Sequence, residues 1–481
     1  MFKSMMVLLG IAVLLSVSCT SDDGWISLFD GKSMQGWQAS ENKDSWAIEE
    51  GALVTVGPRS HLFYAGDVLD HKFKNFELSV DVKTTPGSNS GIYFHTEYQE
   101  EGWPSQGYEC QVLNSSPEAE PGEYVERKMT ASIYAIRNVW KAPVPDHEWF
   151  NYRILVQGKT VQTFINDRLM AEYTEPGNAW RPENMQGRRI DSGTFALQCH
   201  DPDSKVYFKN IKVKPLPDDL ETPGTPLADA ELERTLVTLA AKNFPLMDLH
   251  VHLKGELTMD QALAHARKYG FTYGIAYNCG QDMPISTEDE LQAFLATVEQ
   301  PPEAFLAMQA EGREWLDLFT QESINRFDYV FTDAMTWTNR DGKRMQLWKP
   351  EQVEIGDPQD FMEQLVGKIE TILSTEPIDI YVNSTYVPDE INDQYDELWT
   401  PERMDRVVQA LAENKVVFEI NDRRNIPNAE FIKRAKAAGV KFTFGTNNAG
   451  MEDLGHLQYC LDMVEECDLQ PADMWVPQMK N

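Results

Sequence analysis

A strand sends alternate side chains to opposite faces, so polar groups that recur at every second position gather on one surface. Tyr93, His95 and Glu97 alternate with the apolar Ile92 and Phe94 in Gly91-Ile-Tyr-Phe-His-Thr-Glu97. In Tyr108-Glu-Cys-Gln-Val112, Glu109 and Gln111 oppose Cys110 and Val112. Phe195-Ala-Leu-Gln-Cys-His200 sets Gln198 and His200 against Leu197 and Cys199, and Ala131-Ser-Ile-Tyr134 offers Ser132 and Tyr134. A carboxylate, imidazoles, amides and phenols on one curved sheet make a polar cleft suited to a carbohydrate, although a solvated sheet face takes the same residues. A second centre is Leu246-Met-Asp-Leu-His-Val-His252. Period two aims His250 and His252 to one side at the end of a strand, which is how metal sites begin in hydrolase barrels.

Two kinds of element must hold these groups. From Gly24 to about Pro217 the chain runs in short alternating stretches such as Phe76–Val82, Tyr152–Val156, Val161–Ile165 and Val206–Val213. Many short strands at close spacing predict an all-β sandwich over 24–217. The turn-rich stretch Pro215 to Pro226, ending Thr222-Pro-Gly-Thr-Pro226, cannot continue a strand and predicts a linker at 218–228. Over 229–481, seven strand-like runs begin near Pro245, Tyr273, Ala304, Phe327, Ile378, Val416 and Lys441. Helical stretches alternate with them, among them Thr258 to Tyr269, Pro401 to Leu411 and Asn428 to Ala438. Seven such units predict a parallel barrel or a doubly wound sheet.

Length and charge narrow the function. A chain of 481 residues is long enough for two or three domains. With 43 Lys and Arg against 76 Asp and Glu, its net charge of -33 repels phosphate backbones, so nucleic acid is excluded as an expected partner. The N-terminus has Lys3, an apolar run from Met5 to Leu15 and the small-residue region Ser16-Val-Ser-Cys19. Residues 1–18 read as an export signal. Because it ends on Cys, it resembles a bacterial lipoprotein signal, which implies a lipid anchor on Cys19 and an outer-membrane protein of the cell envelope. Five further cysteines form no C-x-x-C pair and no zinc pattern, and are read as structural.

Six blocks follow one another between residues 25 and 216: Leu28-Phe-Asp-Gly-Lys-Ser-Met-Gln-Gly-Trp37, Ser90-Gly-Ile-Tyr-Phe94, Gly107-Tyr-Glu-Cys-Gln-Val-Leu113, Ala131-Ser-Ile-Tyr134, Phe195–His200 and Val206–Val213. In order and spacing they resemble the 3-keto-disaccharide hydrolase family. The resemblance implies a concanavalin A-like jelly roll in an exported hydrolase of sugars oxidised at carbon 3. A ketone there acidifies the proton on carbon 2, so a positioned base can remove it and the glycosidic oxygen can leave from carbon 1. Glu109, His95 and His200 are then the catalytic candidates, with Tyr93, Glu97, Gln111, Ser132, Tyr134 and Gln198 binding substrate. His95 stands where the family often has Arg, and Asn114 where it often has Asp.

Between residues 244 and 469 come Asp248-Leu-His-Val-His252, Glu419-Ile-Asn421 and Phe444-Gly-Thr-Asn-Asn448. With these motifs the stretch resembles the polymerase and histidinol phosphatase (PHP) superfamily, which implies a distorted (β/α)7 barrel. Where that superfamily carries acidic and imidazole metal ligands, this chain reads Asn278-Cys279, Met335, Asn383 and Asn447-Asn448-Ala449. Amides and a thioether bind divalent metals poorly. The surviving ligands, His250, His252 and Glu311, imply at most one zinc or manganese. An amide-rich pocket of Asn278, Asn383, Asn421 and Asn447 is the alternative. A rival reading makes the jelly roll a carbohydrate-binding module and the barrel a metal-dependent hydrolase.

Overall fold

The computed structural model describes residues 24–116 and 123–478, so Cys19 and the expected export signal at 1–18 lie outside the described residues. The N-terminal part is an antiparallel sandwich. One sheet has eight strands: Arg168–Thr174, Thr160–Ile165, Phe150–Gln157, Phe76–Thr84, Val206–Pro215, Ala52–Thr55 and Trp46–Glu49 in order, with Ile26–Ser27 beside Val206–Pro215. The other orders Trp37–Ala39, Ser60–Tyr64, Thr194–Cys199, Ser90–Thr96 and Tyr108–Val112. Burial in Phe150–Gln157 alternates strictly, with Phe150, Tyr152, Ile154 and Val156 inside. That alternation joins one face of each sheet in a single core containing Phe76, Ile92, Phe94, Cys110, Leu197 and Phe208.

The C-terminal part is a closed barrel of seven parallel strands: Met247–Val251, Thr272–Gly280, Phe305–Glu311, Tyr329–Thr332, Ile380–Tyr381, Val417–Asn421 and Phe442–Gly445. Each falls on one of the seven expected runs. Pairing of Asp248 with Phe444 closes the ring and decides for a barrel over an open sheet. Local signals set the helices between. Met259–Tyr269 starts in a capping box between Thr258 and Gln261 and stops at Gly270, whose φ of +76° ends a helix without strain.

The two parts meet through the segment from Arg127 to Lys141. It does not form the regular strand expected at Ala131–Tyr134; it turns back on itself along the edge of Tyr108–Val112, with Tyr134 N–H bonded to the Glu109 carbonyl at 2.9 Å. From there it inserts into the base of the barrel. Arg137, 2% exposed, pairs with Glu233 at 2.5 Å and donates to the Lys268 carbonyl at 2.6 Å. Trp140 donates to the Gly270 carbonyl, and Lys141 reaches the Ala304 carbonyl and Asp328. All of these lie at or before the N-terminal ends of barrel strands, leaving the opposite mouth open. The linker is folded down as well: Asn75 donates to the Pro217 carbonyl and Lys159 N–H to Thr222 Oγ1. The five described cysteines are buried and form no disulfide. Among the described residues no helix is long and apolar enough to cross a membrane.

Candidate functional site

The face of the five-stranded sheet turned away from the core gathers the polar side chains. Glu109 stands directly across from Tyr93 in register, and Gln198 directly across from His61. Gln198 Nε2 donates to Tyr93 OH and to Glu109 Oε1, each at 3.0 Å, and Arg188 lies 3.5 Å from Glu109 Oε2. This row is buried: Glu109 is 6% exposed and Gln198 2%. Gly91 makes room for it, because a Cβ there would come within 2.7 Å of Glu109 Oε1. The backbone of Gly91 therefore acts as the wall against which the carboxylate lies.

Burial sets the protonation of the row. It pushes the Glu109 carboxyl up, against the opposing pull of Arg188 and the hydrogen bonds from Tyr93 and Gln198. Burial, reinforced by Glu109, raises the Tyr93 phenol well above its usual range, so it stays a donor. His61 moves the other way. Desolvation, with Arg59 beside it, lowers its imidazole to about 3, so it is neutral at ordinary pH. Both its ring nitrogens are buried without a hydrogen-bond partner among the described residues, as is Gln198 Oε1. Buried polar atoms without partners are costly, and at a polar face they mark where a ligand's own polar atoms belong. Trp103 covers the row, its ring edge-on to His61 at 5.5 Å and tilted against His200 at 5.1 Å, with Arg59 over its face.

Not all the expected residues reach this row. His95 carries a φ of +55° inside a register shift between its strand and Thr194–Cys199. Such a bulge breaks the period of two. The His95 ring turns to the edge of the core against Phe76 and Phe94, donates to the Lys74 carbonyl at 2.9 Å and accepts from Asp191 N–H at 3.3 Å. Glu97 lies beyond the strand's end and is exposed. Ser132 bonds to the Met129 and Val139 carbonyls within its turn, and Tyr134 to Glu126. Gln111 donates to Asn89, and His200 pairs with Asp201 at 2.7 Å at the rim. His61 and Arg188 are the residues that strand reading of the sequence passed over. The alternation of Ser60-His-Leu-Phe-Tyr64, with Leu62 and Tyr64 in the core, carried the signal for His61. Arg188 comes from a loop and carried none.

At the barrel mouth each of the expected metal ligands has a protein partner. His250 donates from Nδ1 to Glu419 at 2.6 Å, His252 from Nδ1 to the Ala276 carbonyl, and Glu311 Oε1 accepts from Asn278 and Gln309. Among the described residues no three His, Cys, Asp or Glu side chains come together as a metal site. The Nδ1 bonds orient the rings of His250 and His252, as the second partners of metal-ligating histidines do, and leave His250 Nε2 and Glu311 Oε2 without partners among the described residues, while the amides around them are poor metal donors. Amides do converge. Asn383 donates to Asp333 and accepts from Asn447, while Asn421 donates to Glu419. Asp333, which follows the fourth strand, lines the mouth together with Met335. Burial raises Glu311 and Asp333 above the usual carboxylate range, and Asp333 adds to the effect on Glu311.

Residues 24–214 match the model of the 3-keto-alpha-glucoside-1,2-lyase-like domain. A 3-keto-disaccharide hydrolase of Bacteroides thetaiotaomicron is 31% identical over 233 residues, covering 40% of this chain and 79% of that protein. A provisionally assigned glycosyl hydrolase of Parabacteroides distasonis aligns over 40% of this chain and 94% of its own, at 25% identity and a TM-score of 0.35. A histidinol phosphate phosphatase of Lactococcus lactis aligns over 47% of this chain and 94% of its own, at 13% identity and a TM-score of 0.33. Through its N-terminal sandwich, with the buried Glu109 row on the sheet's outer face, the chain belongs to the 3-keto-disaccharide hydrolase family.

Proposed function

We propose that the sandwich cleaves 3-keto glycosides by elimination followed by hydration. Glu109 removes the proton on carbon 2, whose acidity comes from the adjacent ketone. The electron pair forms the enolate and then expels from carbon 1 the glycosidic oxygen, which takes the proton held by Glu109 and departs as the alcohol, leaving a double bond between carbons 1 and 2. Water adds at carbon 1 to give the free 3-keto sugar. The observation that carries this reading is Glu109 itself, a carboxylate buried beside Tyr93, Gln198 and Arg188 with its affinity for a proton raised by desolvation. A base is most effective when its pKa approaches the working pH, and burial moves Glu109 in that direction.

The neighbours have separable tasks. Arg188 supplies donors for the oxygen of the developing enolate, while Tyr93, kept protonated, holds Glu109 through its single O–H. Neutral His61 offers one donor and one acceptor to sugar hydroxyls, which suits its two unpartnered nitrogens. Trp103 gives an apolar ring face at the edge of the same surface. The test is release of the leaving group from a 3-keto glucoside by the full chain. Turnover by wild type and its loss in Glu109→Gln support the reading, and turnover in the variant close to wild type overturns the role of Glu109.

A further inference from the structure

The barrel mouth holds a cavity of about 500 Å³, within the range of small-molecule sites, that the chemistry above does not use. Its floor is acceptor-rich. Glu311 Oε2 and Gln309 Oε1 are buried without hydrogen-bond partners among the described residues, on side chains 5% exposed, and Asp333 lies beside them. Its rim is cationic. Lys254, Lys349, Arg423 and Arg424 line the cavity, and none forms an ion pair with a carboxylate among the described residues. In a chain with 33 more acidic than basic residues, four unpaired cations around one opening are a concentration of charge in need of an anion. Lys254 lies in the fields of both Arg423 at the rim and Glu311 on the floor, so the two kinds of group serve one space. Trp348 adds an aromatic ring to the wall.

We propose that this mouth binds a sugar acid, a polyhydroxylated chain bearing one carboxylate. The rim cations take the carboxylate by charge-assisted hydrogen bonds. The unpartnered floor oxygens accept from hydroxyls, which a simple inorganic anion does not supply. A phosphate group fits less well, because its several acceptor oxygens need donors where the floor presents the unpartnered acceptors of Glu311 and Gln309. The site is separate from the Glu109 row: it opens at the C-terminal ends of the barrel strands, and the sandwich packs against their N-terminal ends.

The test is calorimetric titration of the full chain with D-gluconate, D-glucose and D-glucose 6-phosphate. Saturable gluconate binding that weakens with added salt is expected, with glucose at least about tenfold weaker for want of the charge. Lys254 is exposed, so Lys254→Gln keeps the fold; it should weaken gluconate at least about tenfold, and Lys254→Arg should keep most of the affinity. Glu109→Gln should leave gluconate binding unchanged. No saturable binding of gluconate at millimolar concentration overturns the proposal, as does glucose binding equally well or binding indifferent to Lys254→Gln. Glucose 6-phosphate binding in place of gluconate overturns the sugar-acid assignment in favour of a phosphate site.

Discussion

The sandwich face and the barrel mouth are each built around a buried carboxylate among amides, yet they dispose of its oxygens differently. Glu109 has both oxygens engaged, one by Gln198 and the other facing Arg188, and the groups left without partners are the two nitrogens of His61 and Gln198 Oε1. Glu311 has one oxygen held by two amides and the other free, and the unpaired cations stand at the opening above it. The first arrangement fixes a carboxylate in position and tunes its proton affinity. The second leaves acceptors and charges waiting for a ligand. The same residue types therefore do different work according to which hydrogen bonds the scaffold has already filled.

The largest effect is expected at the joint between the two regions. Arg137→Ala leaves Glu233 buried without its partner, which should cost about 3 kcal/mol or more, read as a fall in the thermal midpoint; Glu233→Gln in the same chain should recover part of the loss. An unchanged midpoint would mean the two parts stand independently. Next, Glu109→Gln should lower the turnover of a 3-keto glucoside by about 10² or more, whereas Glu311→Gln should change it by less than about twofold. Equal losses from both would dissolve the distinction between the two carboxylates. Gly91→Ala, whose new methyl displaces the Glu109 carboxylate, should cost about tenfold in turnover through misplacement alone while sparing gluconate binding at the barrel.

The smallest effect sharpens the status of His95. Its neutral ring is fully satisfied, donating to the Lys74 carbonyl and accepting from Asp191 N–H. Burial lowers its pKa to about 4, below the unfolded value near 6.5. The stabilisation it gives is complete above pH 6.5 and is lost as pH falls toward 4, by at most about 1.4 kcal/mol per pH unit. His95→Gln should therefore destabilise most at neutral pH, with a penalty that shrinks toward pH 4, and should leave turnover of the folded enzyme within about twofold. A penalty independent of pH would show that the imidazole is not held neutral in the fold.

Much of this was legible along the chain. Period two in Tyr108–Val112 and Phe195–Cys199 correctly separates the core residues Cys110, Val112, Leu197 and Cys199 from Glu109, Gln111 and Gln198. Seven apolar runs separated by capped helices fix the strands of the barrel. The reading fails where the backbone leaves the ideal period, at the His95 bulge and in the turn that carries Ser132, because pattern arguments assume the regular φ and ψ that these residues abandon.

By itself, then, the sequence determines which side chains share a face, because strand and helix periods are local properties of the backbone. It likewise determines the acidic charge, which is a sum over residues. Only the tertiary structure decides that Arg188 arrives beside Glu109 from a loop, that His250 is taken up by Glu419, and that the segment from Arg127 to Lys141 joins sheet to barrel. Each depends on contacts between residues distant in the chain, and burial there sets which oxygens and nitrogens find a partner and which remain for a substrate.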